Sequence, residues 1–366
     1  MVRLTRAQQQ ERTRSTVLAA ARKEFAEHGY AEAKIDRIAE RAELTRGAVY
    51  SNFPSKRALY LAVLIDMVDM VEDAGIQEVP ASSPGPGAAV GAFARAWLER
   101  LPLVEDTRAG GHLQLRSLAG VLDDEPIRTA LAQATRLEAL LLAVALESRG
   151  RGRQTRLAEL VLTLLNGSAH LADSAPGFGD PFDVALACEQ LATIDVADTW
   201  NPPYLPFVAP AQACAQAWTP PKVTDQITGR PVGLESDGVI AVLGTSRLAA
   251  AEEAIRATPP GEQATVAVVT SDPAEIGRLV RLRISDLLGC LRRAFAPAAW
   301  PRLHLILDDS AAVASAAGIP MVDDATEVAV RVRNGTIVAR ADGRGAAYAA
   351  ATARASNARR SPRTER

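Results

Sequence analysis

The chain has 366 residues, more than one hydrophobic core usually serves, so two or three folding units are expected. It is 48% hydrophobic without an uninterrupted apolar run of about 18 residues, and its polar start lacks the apolar centre of a secretory signal, which predicts a cytoplasmic protein without membrane contact. The first sixty residues carry a net charge of +5 whereas the whole chain carries −2, an imbalance that indicates a polyanion-binding head on an acidic body.

Three helices are predicted in this basic N-terminal segment. Apolar residues recur at three- and four-residue spacing over 13–28, and Gly29 supplies a residue that readily ends a helix. A second helix is expected over 34–41, and a third over 46–52 with Thr45 as its cap. Two helices joined by a tight turn in this way predict a helix-turn-helix.

The third helix has the pattern of a helix that reads a DNA groove. Val49 and Phe53 are its core anchors, which leaves the other face free. Small or hydrogen-bonding residues on that face let the backbone approach a groove while side chains reach bases or phosphates. They are Arg46, Gly47, Ala48, Tyr50, Ser51 and Asn52. A fourth helix is expected from Ser55, and its first turn with Lys56 suits a phosphate.

Residues 11–64 resemble the DNA-binding domain of the TetR family of bacterial repressors. The resemblance runs through the segments AAARKEFAEHGY, IDRIAERAEL, TRGAVYSNF and PSKRALYLAVL. It implies that Tyr50 and Lys56 hold phosphates, and that Lys34 lies near the DNA backbone. It also implies that Thr45, Arg46 and Gly47 lead into the major groove. The predicted DNA-binding residues are Lys34, Thr45, Arg46, Gly47, Ala48, Tyr50, Ser51, Asn52 and Lys56.

Two positions depart from the family pattern. Ala33 and Lys34 stand where the family often has a threonine pair, and Glu43 occupies a turn position where glycine is usual. The alternative is a three-helix domain whose basic face is only solvated. We therefore expect an all-α DNA-binding head over 1–60, with the local contacts at these two positions open.

The resemblance also implies a helical ligand-binding and dimerisation domain, which we place at 61–198. Periodicity predicts helices over 55–73, 88–101, 105–118, 125–147, 154–172 and 181–192. The helices over 154–172 and 181–192 would pair with the same two helices of a second chain in a homodimer. Candidate contacts to a small-molecule effector are Trp97, His112, Leu115 and His170, where polar or aromatic groups interrupt apolar stripes. The alternative is that Trp97 belongs to the core and that each histidine is structural.

A second fold class is predicted after residue 199. Residues 199–235 are rich in proline and are expected to form a linker. Over 236–355, strands at 239–243, 264–270, 303–307, 328–332 and 336–339 alternate with helices at 247–257, 274–295, 311–317 and 346–355. This α/β order resembles a thioredoxin or peroxiredoxin fold. A basic tail at 356–366 is expected to be disordered.

Redox chemistry is not expected from this third domain. The first strand-to-helix turn, at 244–250, reads GTSRLAA without the cysteine that a thioredoxin-like nucleophile needs, and Cys290 is expected to be packed within a helix. No metal site, cofactor or enzyme activity is predicted, since Cys188, Cys214 and Cys290 lie far apart.

The function expected from the sequence is a ligand-responsive transcriptional repressor that binds a palindromic operator in double-stranded DNA as a homodimer. Two alternatives stay open. One is a redox-responsive regulator or a thiol or peroxide oxidoreductase fused to the head, depending on Cys290. The other is a non-specific DNA-organising protein that uses the arginines near the C-terminus, such as Arg359 and Arg360.

Overall fold

The computed structural model describes residues 5–73, 85–101, 113, 116, 118, 120–149, 152–175, 177–194, 197–203, 206 and 208–353. They form two compact units. The helical unit combines the chain up to Thr199 with Asp272–Trp300, and the sheet unit combines Trp200–Ser271 with the chain from Pro301. The chain therefore leaves the sheet unit after residue 271, contributes about thirty residues to the helical unit, and returns.

The described helices are divided between the two units. The helical unit contains α1 (Arg6–Glu32), α2 (Ile35–Arg41), α3 (Arg46–Asn52), α4 (Lys56–Asp73), α5 (Pro86–Leu98), α6 (Glu125–Glu147), α7 (Thr155–Ser174), α8 (Pro181–Leu191) and α10 (Ile276–Arg292). The sheet unit contains α9 (Ala251–Ala257), α11 (Ala312–Ala316) and α12 (Ala346–Thr352). Each predicted helix within the described residues is present, whereas most of the helix predicted over 105–118 lies outside them.

One apolar cluster joins the N-terminal head to the rest of the helical unit. Phe25, Ile38 and Val49 from the first three helices share it with Val63 of α4 and Leu279 of α10. Among the described helices, α6 is long and apolar enough to cross a membrane, but 61% of its apolar window is buried. Such burial is typical of the core helix of a globular unit.

The position of α10 corrects the predicted domain boundaries. The sequence places this helix in an α/β domain over 236–355, but its residues pack against α4, α6 and α5 in the helical unit. Its apolar face explains this, because Ile276, Leu279 and Leu282 are buried in the same cluster as the head. Periodicity finds a helix, but it does not show which core receives the apolar face.

The sheet unit contains a six-stranded mixed sheet in the order β1-β8-β7-β4-β5-β6. The strands are β1 (Gln212–Ala217), β4 (Gly238–Gly244), β5 (Gln263–Val269), β6 (Leu303–Leu307), β7 (Glu327–Arg333) and β8 (Thr336–Asp342); β2 (Val223–Asp225) and β3 (Arg230–Val232) form a separate hairpin. β4, β5 and β6 are parallel, and β7 runs antiparallel to β4, with Ile240 opposite Val330. An α/β unit is thus present, and its thioredoxin-like character stays a prediction.

The predicted linker at 199–235 is wrong in part, because it contains three strands. All six residues of β1 are exposed at the sheet edge, so the strand has no apolar alternation to reveal it. β2 and β3 are short, and they meet around Gly229, which has a φ of 67°. The buried Asp225 fixes this hairpin by accepting hydrogen bonds from the backbone N–H groups of Ile227 and Leu305.

Candidate DNA-binding surface and ligand cavity

The helix α3 is held by a few core contacts and exposes the rest of its surface. Val49 and Phe53 are fully buried, while the Thr45 side chain caps the helix by accepting the Ala48 N–H at 3.2 Å. Arg46 and Gly47 are exposed, and a Cβ placed on Gly47 would meet only the Thr45 Oγ1 at 3.9 Å. Open space at this glycine permits the close backbone approach that groove reading requires.

Polar side chains on α3 are held by weak local bonds. The Arg46 guanidinium lies 3.4 Å from the Asp36 carboxylate and 5.5 Å from the centre of the Tyr50 ring, with the Arg46 side chain 60% exposed. Ser51 Oγ and Asn52 Nδ2 both donate to the Ala48 carbonyl at 2.9 Å. An exposed ion pair contributes little to stability, so a DNA phosphate or base can replace these partners at small cost.

The two predicted phosphate-binding lysines have different surroundings. Lys34 is exposed at the start of α2, where its side chain makes no capping hydrogen bond. Lys56 is half-buried, because its Nζ donates to the Ala31 carbonyl at 2.9 Å and lies 4.9 Å from the centre of the Tyr30 ring. Burial lowers the pKa of Lys56 from its ordinary value. The ammonium group has three N–H donors, so Lys56 can keep this bond and still donate to a phosphate.

A buried carboxylate fixes α2 against α1. Glu24 is fully buried and accepts hydrogen bonds from the Lys34 N–H at 3.1 Å and from Arg37 Nε at 2.6 Å. Glu24 lies together with Glu27 and His28 in a group with the spacing of metal ligands. Arg37 and Arg41 pair with its carboxylates, however, and their positive charge opposes a cation there. Glu24 therefore positions the helix-turn-helix.

The turn between α2 and α3 contains a residue in an unfavourable backbone conformation. Glu43 has a φ of 54°, in the left-handed region that favours glycine. Its side chain is exposed. Glu43, where the TetR pattern usually has glycine, therefore occupies a strained position. The helix-turn-helix forms despite this strain.

The helical unit also contains a cavity of about 1080 Å³. Leucines from several segments form much of its apolar wall, and His170, one of the predicted contacts, lines it. Trp97 does not line the cavity: it is buried in α5, with the Arg116 guanidinium 3.6 Å from the centre of its ring. His112 and Leu115 lie outside the described residues. The volume of this cavity is that of a binding site for a drug-sized molecule.

Among the described residues, four arginines line this cavity, and the sequence predicts none of them as ligand contacts. They are Arg100, Arg116, Arg136 and Arg283. Arg283 belongs to α10, the helix that the sequence assigns to another domain. The sequence signal that would have indicated an ion-pair partner is Asp286, an acidic residue four positions after Leu282 and four before Cys290, on the apolar face of its helix.

Two buried carboxylates pair with three of these arginines. Asp286 accepts from Arg100 Nη1 at 2.7 Å and from Arg116 Nε at 2.8 Å, and Glu138 accepts from Arg283 Nη2 at 2.7 Å. Burial opposes the charge of Asp286, but Arg116 and Arg100 outweigh it and hold its pKa below the ordinary value. Burial raises the pKa of Glu138 despite the facing Arg283.

A second ion-pair group links the head to the cavity wall. Arg57, in the first turn of α4, binds the carboxylate of Asp123, which lines the cavity. Its Nη1 also donates to Asp124 at 2.8 Å and to Glu275 at 2.7 Å. Glu275 in turn accepts the hydroxyl of Ser55, the residue that precedes α4. A change in the cavity wall at Asp123 thus reaches the start of α4 through one side chain.

The environments of the two buried cysteines, Cys188 and Cys290, differ from that of a redox nucleophile. Cys290 is fully buried, and burial raises the pKa of its thiol to about 12. Cys188 is also buried, which raises its pKa to about 11. A reactive cysteine needs a lowered pKa and access to solvent. The prediction that Cys290 is packed within a helix is confirmed.

Comparison with known proteins shows which domains the head is similar to. Residues 17–63 match the family model described as "Bacterial regulatory proteins, tetR family". The HTH-type transcriptional repressors AcnR of Corynebacterium glutamicum and Corynebacterium efficiens are each 37% identical over 71 residues. The match covers 18% of this chain and 38% of each repressor, so the similarity spans about two-fifths of their length. Residues 17–63 are therefore similar to the helix-turn-helix domain of TetR-family regulators.

Solved structures of similar proteins include a TetR-family transcriptional regulator from Pectobacterium atrosepticum, 26% identical, with a TM-score of 0.33, covering 52% of this chain and 93% of the other. The reduced form of NemR from E. coli is 20% identical, with a TM-score of 0.35, covering 50% of this chain and 96% of the other.

Proposed function

We propose that this chain is a ligand-responsive transcriptional regulator, most simply a repressor, that binds a palindromic operator through α3. The exposed polar face of α3, held by Val49 and Phe53, carries the proposal. The basic charge of the first sixty residues and the TetR-family match over residues 17–63 support it. The similar Corynebacterium proteins are named as transcriptional repressors, and we extend that role to this chain.

The regulator acts as a homodimer in this proposal, with α7 and α8 as the interface. Large apolar side chains on and between these helices are exposed: Leu160, Leu171, Phe178, Phe182 and Leu186. Phe182 is 80% exposed and Phe178 is 70% exposed, which is unusual for side chains of this size. Two copies joined here would present two heads to successive major grooves, roughly 34 Å apart.

Sedimentation of the full chain tests the dimer. Phe182→Glu places a charge in the centre of the proposed interface, so we expect the dissociation constant of the dimer to rise by at least about tenfold. Met321→Glu, which places the same charge on an exposed apolar residue of the sheet unit, is the matched control and should leave the dimer intact. A monomeric wild type, or a Phe182→Glu chain that dimerises normally, would contradict the proposed interface.

Effector binding changes the spacing of the heads in this proposal. Asp123 lines the cavity and also binds Arg57, so a ligand that draws Asp123 away weakens the attachment of α4 to the cavity wall. A ligand shifts such an equilibrium only by the difference between its affinities for the two conformers. The effector must therefore bind more tightly to the form whose heads do not fit the operator.

Selection of genomic DNA fragments by the purified full chain tests the regulator proposal. We expect enrichment of fragments that share an inverted repeat, with protection of both half-sites in footprinting. Neighbouring genes on those fragments then indicate candidate effectors. Recovery of fragments without a shared sequence would instead support the non-specific DNA-organising alternative.

A further inference from the structure

The cavity of the helical unit has an apolar wall and a charged floor. Its wall includes Leu101, Leu118, Leu122, Leu131 and Leu162. The side chains of Arg100, Arg116 and Arg283 are 5%, 6% and 13% exposed, so these three guanidinium groups form a buried floor. A molecule that fills this space meets both kinds of surface, and it needs an apolar body and a polar end.

The floor presents guanidinium groups, and not their carboxylate partners, to the cavity. Asp286 pairs with Arg100 and Arg116, and Glu138 pairs with Arg283, but neither carboxylate is among the described residues that line the cavity. The acidic residues that do line it, Asp123, Glu159 and Asp173, are exposed, so water screens them. Among the described residues, the charged side chains in the buried part of the cavity wall are therefore guanidinium groups.

Arg283 is a floor residue that has N–H donors without an acceptor among the described residues. Asp286 takes two of the arginines, and Arg116 also donates to the Trp97 carbonyl at 2.5 Å. Arg283 donates from Nη2 to Glu138 and, at 3.5 Å, to the Asn166 Oδ1. Its buried Nε has no hydrogen-bond partner among the described residues. A guanidinium carries five N–H donors, so Arg283, which lines the cavity, has donors beyond those to Glu138 and Asn166 that a ligand oxygen can accept from.

We propose that the cavity binds a small amphipathic anion, with one carboxylate or similar singly charged group at Arg283 and an apolar body against the leucine wall. This inference rests on the proposed function, because it names the chemical class of the effector. The cavity volume of about 1080 Å³ accommodates a body of fatty-acid or aromatic-acid size. A charge-assisted bond to a guanidinium in a buried site is strong enough to discriminate an anion from its neutral analogue.

Two fluorescent probes that differ by one charged group test the proposal on the full chain. 8-Anilinonaphthalene-1-sulfonate is an anion, and N-phenyl-1-naphthylamine is the same ring system without the sulfonate. We expect the anion to bind one site per protomer at least about tenfold more tightly than the neutral probe. Equal dissociation constants for the two probes would overturn the proposal.

A matched pair of variants assigns that preference to Arg283. Glu138→Gln removes the competing carboxylate but keeps an acceptor for Arg283, so the anion should bind several-fold more tightly than to the wild type. The double variant Glu138→Gln/Arg283→Gln removes both members of one buried ion pair and should bind the anion at least about tenfold more weakly than Glu138→Gln alone. The neutral probe should change by less than about twofold.

Controls separate this inference from the proposed function. Arg128→Gln, an exposed arginine of α6 outside the cavity, should match the wild type for both probes. Unchanged anion affinity across the matched pair would overturn the anion proposal even if the chain selects a DNA sequence. If the pair behaves as expected but no DNA sequence is selected, the cavity chemistry stands and the regulator proposal fails.

Discussion

Replacing Glu43 with glycine should stabilise the helix-turn-helix, which few substitutions to glycine do. Glu43 is exposed and has a φ of 54°, a conformation that costs a non-glycine residue about 1–2 kcal/mol. Glycine relieves that strain but loses about 0.5–1 kcal/mol more conformational entropy on folding. The expected net gain in the local free energy of unfolding is about 0.5–1 kcal/mol.

Hydrogen exchange of peptides covering residues 35–53 measures this local free energy. Glu43→Gly should slow exchange there by about two- to fivefold, since 1.4 kcal/mol corresponds to tenfold. Glu40→Gly removes the same exposed charge from a helical position of α2 and should speed exchange, because glycine costs about 1 kcal/mol within a helix. Equal acceleration by both substitutions would refute the strain at Glu43.

Two further substitutions give independent tests. Lys34→Thr should add the side-chain cap that α2 lacks and raise the free energy of unfolding of the head by about 1 kcal/mol. If Lys34 holds a phosphate, the same substitution should also reduce the slope of the logarithm of DNA affinity against the logarithm of salt concentration by about one. In the sheet unit, burial and then the nearby Glu327 raise the pKa of Glu253 to about 7. Because the folded state binds this proton more tightly than the unfolded chain, stability falls as pH rises from about 4.5 to about 7. Glu253→Gln should therefore slow exchange in β4 and α9 at pH 8 by an amount equivalent to about 1–2 kcal/mol and have little effect at pH 4; slower exchange at both pH values would count against this origin.

The head was predictable because its determinants are local. The third helix is predicted over 46–52 and observed as Arg46–Asn52, since Thr45 caps it and Val49 with Phe53 anchor it within one turn of the chain. The start of α1 was predicted seven residues late. Residues 6–12 carry no apolar stripe, and the helix begins instead at a reciprocal cap between Thr5 and Gln8.

The cavity was less predictable because its charged floor depends on long-range packing. Arg283 and Asp286 lie more than a hundred residues from Glu138 and Arg116, and α10 resembles any amphipathic helix until its burial partners are known. Trp97 was chosen as an aromatic residue in an apolar stripe, yet it packs in the core beneath Arg116. A stripe shows that one face is buried without showing whether that face meets a cavity or another helix.

The edge strand β1 shows a similar limit. Its sequence QACAQA has no alternation, because no side chain on it is buried, and its pairing with β8 depends on backbone hydrogen bonds. The prolines on both sides of β1 favour the prediction of a linker, so the sequence does not indicate this strand.

The most direct test of the account is the preference of the full chain for one DNA sequence through α3. Fluorescence anisotropy at about 150 mM salt should give a dissociation constant for the selected inverted repeat at least about a thousandfold lower than for a scrambled duplex of equal length. Arg46→Ala should reduce this ratio by about 1–3 kcal/mol at particular base pairs, whereas Lys56→Ala should weaken binding to both duplexes alike. Equal affinity of the wild-type chain for the two duplexes would contradict sequence-specific binding by this head.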